Sequence, residues 1–159
     1  MGKGFSHVGL GTHDMQETIR FYEGVLKFPR VSDQVAQVQE GGTMHLVYFD
    51  AGEGQFLVFM ESSGIAHIPA DFDTGINGGL GVPAGMYHFA FKVASVDELE
   101  QRRQSLTQAD IEVTDIVDHG YAKAIFFRDP NDLQLEFYVQ TRPFNTSDLN
   151  QAPTISVAR

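Results

Sequence analysis

The sequence has no cysteine. Disulfide scaffolds, thiolate metal sites and cysteine nucleophiles are therefore excluded, and any metal would rest on histidine, carboxylate or water. Basic residues are scarce. The chain carries 11 lysines and arginines against 21 aspartates and glutamates, a formal net charge of −10. Such a balance offers no electrostatic footprint to phosphate backbones or anionic lipid, so neither nucleic acid nor a membrane is expected as a partner. Long apolar runs are missing too. No stretch approaches the ~18 residues of a bilayer span. Met1-Gly2-Lys3-Gly4-Phe5 leads into no apolar segment of the secretory kind. These absences read as a soluble, cytoplasmic protein. At 159 residues, 42% of them hydrophobic, the chain is long enough for one domain with a sizeable core.

What the chain has in excess is glycine: 16 residues, about 10% against a usual ~7%. Gly64, Gly75, Gly78, Gly79, Gly81 and Gly85 fall together with Pro69 and Pro83 between Ser62 and Gly85. We read this stretch as a long ordered loop, since structureless loops above about 12–15 residues are uncommon and often functional. A plain linker is the competing reading.

The segment before the loop reads β-α-β-β-β. Phe5 to Leu10 alternates like a short strand. Asp14 and Glu17 form a capping box. Met15, Ile19, Tyr22 and Leu26 then share one helical face until Pro29 ends the helix. Val31 to Val38, Thr43 to Asp50 and Gln55 to Glu61 read as strands. The last two are joined by the hairpin loop Asp50-Ala51-Gly52-Glu53-Gly54. After the loop the order returns. Met86 to Val93 is a strand, Ser95 and Glu98 a second capping box, and Val96, Leu99 and Leu106 one helical face. Ile111 to Val117, Ala122 to Arg128 and Leu133 to Gln140 are strands, with Asp129-Pro130-Asn131-Asp132 as turn chemistry. The expected organisation is one domain over 1–140, with modules 5–61 and 86–140 joined by the loop 62–85. The polar tail 141–159 reads as a segment that is either mobile or packed on a partner subunit. The fold class is α+β: two tandem βαβββ modules forming a curved mixed sheet around a metal-containing cleft.

The repeat singles out two of the six histidines. His7 stands seven residues before Asp14, and His88 seven before Ser95. Internal repeats take precedence over local readings, and equivalent histidines in equivalent units suggest a shared role. If the halves are related by a pseudo-twofold axis, their first strands lie side by side and the two imidazoles converge. Glu136 supplies a carboxylate. It interrupts the β-forming run Leu133 to Val139, where a charge is costly to bury unless paired or metal-bound. Two histidines and one carboxylate leave open coordination positions. That set suits Fe(II) first and also Mn(II), with Zn or Ni if a fourth ligand joins.

The duplicated β-α-β-β-β order, the helix Thr18-Ile19-Arg20-Phe21-Tyr22 entering Gly24-Val25-Leu26, and the run from Phe126 through Arg128-Asp129-Pro130 to Glu136 together resemble the vicinal oxygen chelate superfamily. It includes glyoxalase I, bleomycin resistance proteins, fosfomycin resistance transferases and extradiol dioxygenases. The resemblance spans about residues 5–140. It implies metal-ligand roles for His7, His88 and Glu136, and a homodimer acting on a small molecule. Glyoxalase I adds a glutamate on the last strand of the first module. The candidates there are Gln55, Val58 and Glu61. Side chains alternate across a strand. An inward even face shows Phe56, Val58 and Met60, leaving three ligands; an inward odd face admits Gln55 or Glu61 as a fourth.

Asp118-His119-Gly120 resembles a triplet of small extradiol dioxygenases, which gives His119 a proton-transfer role near neutral pH. Those enzymes usually place tyrosine ten residues before the ligand glutamate. Phe126 stands there instead and cannot donate a hydrogen bond. Tyr121, Phe126 and His45 are taken as substrate-binding candidates, His67 as a residue of the loop surface or pocket entrance, and His13 as exposed. The leading expectation is oxidation of a small catechol-like substrate on Fe(II) or Mn(II). The alternatives are a glyoxalase-like lyase or isomerase using Zn or Ni, and a bleomycin-resistance-like binding protein without catalysis.

Overall fold

The computed structural model describes residues 4–149. The first module runs β1 (His7–Gly11), α1 (Met15–Ile19), β2 (Arg30–Gln37), β3 (Thr43–Gly52) and β4 (Gln55–Ser63). The connecting loop holds a single helical turn, α2 (Asn77–Leu80). The second module runs β5 (Phe89–Lys92), α3 (Val96–Gln108), β6 (Val117–Asp118), β7 (Ala122–Arg128) and β8 (Gln134–Gln140). Each module builds a four-stranded mixed sheet, in the orders β1-β4-β3-β2 and β5-β8-β7-β6. In both, the first strand pairs parallel to the last and forms an edge. Among the described residues no helix is long and apolar enough to cross a membrane.

In both capping boxes the N-cap half closes as the sequence indicates, and the return half does not: Asp14 N donates to Thr12 Oγ1 and the Glu98 carboxylate accepts from Ala94 N. The Asp14 carboxylate accepts from Glu17 N at 2.8 Å, and Ser95 Oγ accepts from Glu98 N at 3.1 Å, each satisfying an amide that has no partner within its helix. After Ile19 the first helix widens into a π-helical turn, Arg20–Val25, and Leu26 N reaches back to Phe21 O. Phe21, Tyr22 and Leu26 are all buried there. The chain leaves the helix at Lys27, in the left-handed region with φ 63°. The stop therefore comes two residues before Pro29, which does not itself make it.

Other expectations are corrected. β5 starts at Phe89, and Met86 and Tyr87 are exposed. Val96 lies at the exposed side of α3, while Leu99 and Leu106 are buried. Of the expected strand Ile111 to Val117, only Val117 is in one, as the first residue of the short β6; before it the segment makes one isolated bridge, Val113 to Phe127. The tail begins packed on its own chain, with the Phe144 ring 5.0 Å from that of Tyr121. The rest of the tail, 150–159, lies outside the described residues.

One hydrophobic core spans both modules, and the first helix sits at its centre. Phe21 faces Phe127 with ring centroids 6.5 Å apart, and Phe28 meets Phe91 edge-on at 5.0 Å. A polar network runs through the same contact. Tyr22 donates from its hydroxyl to Asp129 Oδ2 at 3.0 Å, and Asn131 Nδ2 donates to Thr18 Oγ1 at 3.2 Å. Arg102 adds a bond to Leu26 O at 2.8 Å. The helix side of each sheet is thus committed to this core, and chemistry is left to the opposite faces.

Candidate functional site

The strand register compares the two halves position by position. Gly9, two residues after His7, pairs with Val58 on β4. Ala90, two residues after His88, pairs with Glu136 on β8. Val58 is therefore the counterpart of Glu136, and the first module has an apolar residue where the second has a carboxylate. Leu57 and Phe59, on the odd face of β4, belong to the shared core. The even residues Phe56, Val58 and Met60 face the same side as His7.

His88 ends the connecting loop just before β5. Its Nδ1 lies 2.9 Å from Gly85 O. A carbonyl only accepts, so Nδ1 carries a proton and the lone pair of the neutral ring falls on Nε2. Nε2 stands 3.3 Å from Glu136 Oε2. Glu136 is only 5% exposed. Burial raises its pKa, opposed first by His88 and then by His119. Two lone-pair atoms facing each other at this distance repel unless a cation compensates them. A proton on the imidazole can do so, and so can a divalent ion. The nitrogen and oxygen donors present fit such an ion.

His119 stands at the turn into β7, held by its amide bond to Ala122 O at 2.8 Å. Asp118 shapes the turn by accepting from Gly120 N at 2.8 Å, with Gly120 at φ 78°, where a side chain would be strained. The His119 ring stacks on Tyr121 at 6.1 Å and meets Phe126 edge-on at 6.5 Å. Phe126 pairs directly with Glu136 across β7 and β8. The second sheet thus gathers His88, Glu136, His119, Tyr121 and Phe126. Tyr138 joins them: its pKa is raised by burial, by Tyr121 and by Glu136. Sequence reasoning passed over Tyr138, although strand alternation two residues beyond Glu136 carries the signal.

His7 is apart from this group. Its ring lies 6.3 Å from Tyr48, and its Nδ1 is 3.2 Å from Ser6 Oγ. His7 and His88 both line a cleft of about 970 Å³ between the two modules, with Phe56, Phe89 and Lys92. Among the described residues, however, no three histidine, aspartate or glutamate side chains are grouped closely enough to hold a metal. The convergence that the repeat suggests does not occur within one chain.

His45 is corrected as a substrate-binding residue. It pairs with Glu61 on β3 and β4, on the face opposite His7. Its Nε2 bonds Asp33 Oδ1 at 2.7 Å and its Nδ1 lies 3.6 Å from Glu61. The bond to His45 lowers the Asp33 pKa. Glu61 also accepts from Met15 N at 3.1 Å, so its carboxylate serves the start of α1. His67 and His13 are exposed. His13 is fixed by a 2.7 Å bond to Phe72 O.

A family model described as "Glyoxalase/Bleomycin resistance protein/Dioxygenase superfamily" matches residues 4–137. Solved structures agree on the fold. The glyoxalase family protein from Enterococcus faecalis is 24% identical, with TM-score 0.59, over 86% of this chain and 97% of that one. The fosfomycin resistance protein FosX from Listeria monocytogenes is 17% identical, with TM-score 0.58, over 89% and 96%. That protein has also been solved with Mn(II) and a sulfate ion. Lactoylglutathione lyase from Agrobacterium tumefaciens is 18% identical, with TM-score 0.60, over 87% and 94%. No curated protein matches the sequence.

Proposed function

Because the chain belongs to the Glyoxalase/Bleomycin resistance protein/Dioxygenase superfamily, we propose that it is a metal-dependent enzyme binding a small substrate through two neighbouring oxygens. The observation that carries this reading is the buried Glu136 facing the lone-pair nitrogen of His88. These two residues hold a divalent ion, and His7 completes the set. The Mn(II) in the Listeria relative supports that metal class. Val58 in the counterpart position, and Glu61 turned to the opposite face, favour three protein ligands and Fe(II) or Mn(II) over a four-ligand Zn or Ni site. When bound, the ion supplies Lewis acidity to the chelated oxygens.

The chain's own residues divide the remaining work. His119 exchanges a proton with the substrate. Phe126 and the even face of β4 exclude water from it. Tyr121 and Tyr138 offer hydroxyls for orientation. The finer reaction is oxidation of a small catechol-like substrate, in which both atoms of O2 enter the opened ring. The His119 placement supports it. Phe126 leaves the proton handling to His119, so His119→Ala lowers kcat more than it raises KM. Protein reconstituted with Fe(II) or Mn(II) is expected to take up oxygen with at least one member of a catechol panel. Metal binding without uptake across the panel refutes ring cleavage.

A second copy supplies His7. Met44, Leu46, Tyr48, Phe56 and Met60 on the first sheet, and Phe126 and Tyr138 on the second, are only partly buried, and face-to-face docking covers them. In such a homodimer His7 of the partner subunit meets His88 and Glu136. Mixing His7→Ala with Glu136→Gln protein then restores one intact site per heterodimer. Absence of restored metal binding refutes the exchange.

A further inference from the structure

We propose that Asn77, in the glycine-rich connecting loop, is a positioning residue for His88. The inference rests on the metal-ligand role given to His88 above. Asn77 is a polar side chain only 7% exposed, and both ends of its amide are used on the backbone of one residue. Nδ2 donates to Tyr87 O at 2.8 Å, and Oδ1 accepts from Tyr87 N at 2.9 Å. This is the bond pair that a neighbouring strand would provide. It takes the place of the ladder at the point where β5 has not yet begun, one residue before His88. With Tyr87 held, the Gly85 carbonyl stays within reach of His88 Nδ1 at 2.9 Å, and Nε2 stays turned to Glu136. Partners that fix a ligating histidine's tautomer and orientation are worth about 10–100-fold in metal affinity.

The loop is built to place this amide. Asp73 accepts from Gly75 N at 2.7 Å. A Cβ on Gly78 would come within 2.6 Å of Asp73 Oδ2, so a side chain there would push the Asp73 carboxylate from its place. Ile76, directly before Asn77, sits at φ 41° and ψ −61°, a conformation an L-residue keeps only when its surroundings require it. Thr74 anchors the same turn to the second module through Asn131 O at 3.0 Å. Glycine crowding, a strained residue and an inserted amide together describe a support for the next segment, which a tether between modules would not need. Tyr87 itself is half exposed, and Asn77 uses only its backbone.

The test uses the full-length protein and two variants. Asn77→Ala removes both bonds. Asn77→Asp keeps the acceptor for Tyr87 N, and so keeps a folded control, but sets an anion against Tyr87 O. Two readouts apply to each. Without metal, the Tyr87 amide is expected to exchange about 10-fold faster in Asn77→Ala, and the His88 imidazole nitrogen resonances to move in both variants. With Mn(II) as the probe, affinity is expected to fall about 10-fold, while Tyr87→Ala leaves it unchanged. Unaltered Tyr87 protection and His88 resonances overturn the proposal, as does equal Mn(II) affinity in the variants. If the wild-type protein fails to bind Mn(II) through His88, the metal reading falls, and the metal-free readouts still decide whether Asn77 positions the ring.

Discussion

Tyr22→Phe isolates one of the hydrogen bonds that join the two modules, the one from Tyr22 to Asp129. The hydroxyl is wholly buried and donates to Asp129 Oδ2 at 3.0 Å. Phenylalanine fills the same space, so the change removes the bond and little else. A hydrogen bond to a charged group contributes about 1.5–3 kcal/mol. Asp129 keeps three other donors, Asn131 N and Leu133 N at 2.9 Å and Asn131 Nδ2 at 3.0 Å, so its carboxylate is not left unpaired. The lower part of the range applies, about 1.5–2 kcal/mol with Asp129 ionised and about 1 kcal/mol with it protonated, when the bond is between neutral groups. Burial raises the Asp129 pKa, while its donors, Tyr22 among them, lower it. Removing Tyr22 therefore raises it further. A carboxyl group with a raised folded pKa contributes stability that is complete below its unfolded value of about 3.9 and is lost as pH rises through the folded value. The variant loses more over that climb, so its deficit grows from acid toward neutral pH. Urea unfolding followed by circular dichroism across that range measures it, with an unchanged slope against urea. A deficit that is absent at neutral pH, or that shrinks as pH rises, refutes this account.

Glu136→Gln removes a buried charge whose pKa is raised by burial. Metal-free protein loses stability as pH rises through that raised value. The variant does not, so its melting temperature at neutral pH rises by about 2–4 °C per kcal/mol recovered, while Mn(II) binding is lost. Unchanged melting with retained Mn(II) contradicts the site. Glu61→Ala deletes the acceptor at the start of α1 and costs about 1 kcal/mol in denaturant titration, with Mn(II) affinity unchanged. A fall in affinity would return Glu61 to the metal.

What the sequence made legible was local or periodic. The two capping boxes are four-residue patterns, and in each the N-cap side chain accepts from the predicted amide. Alternation in β4 separates Leu57 and Phe59 from Val58 without reference to any other strand. The spacing of His7 and His88 put them at equivalent points of the two modules: His7 begins β1, and His88 directly precedes β5. What was not legible depends on contacts far apart in the chain. Where His7 stands relative to Glu136 depends on how the two modules pack, through contacts such as Phe21 with Phe127 and Tyr22 with Asp129. His45 reads as a pocket residue until its pairing with Glu61 is known. Ile111 to Val117 has strand composition, yet along the other edge of β7 it pairs only at Val113, opposite Phe127, and at Val117, opposite Ala124. Asn77 stands among glycines in the sequence, and nothing local announces that its amide meets the backbone of Tyr87.

The central place of the first helix also sets an order in time. A ribosome makes Phe21, Tyr22 and Phe28 long before Phe91, Phe127 and Asp129, the groups that cover them. Until the second module has emerged, the first carries an uncovered aromatic ridge and a tyrosine hydroxyl without its acceptor. Such nascent chains are prone to aggregate. The chain should therefore fold in one late cooperative step, and its halves, produced separately, should not fold as independent domains.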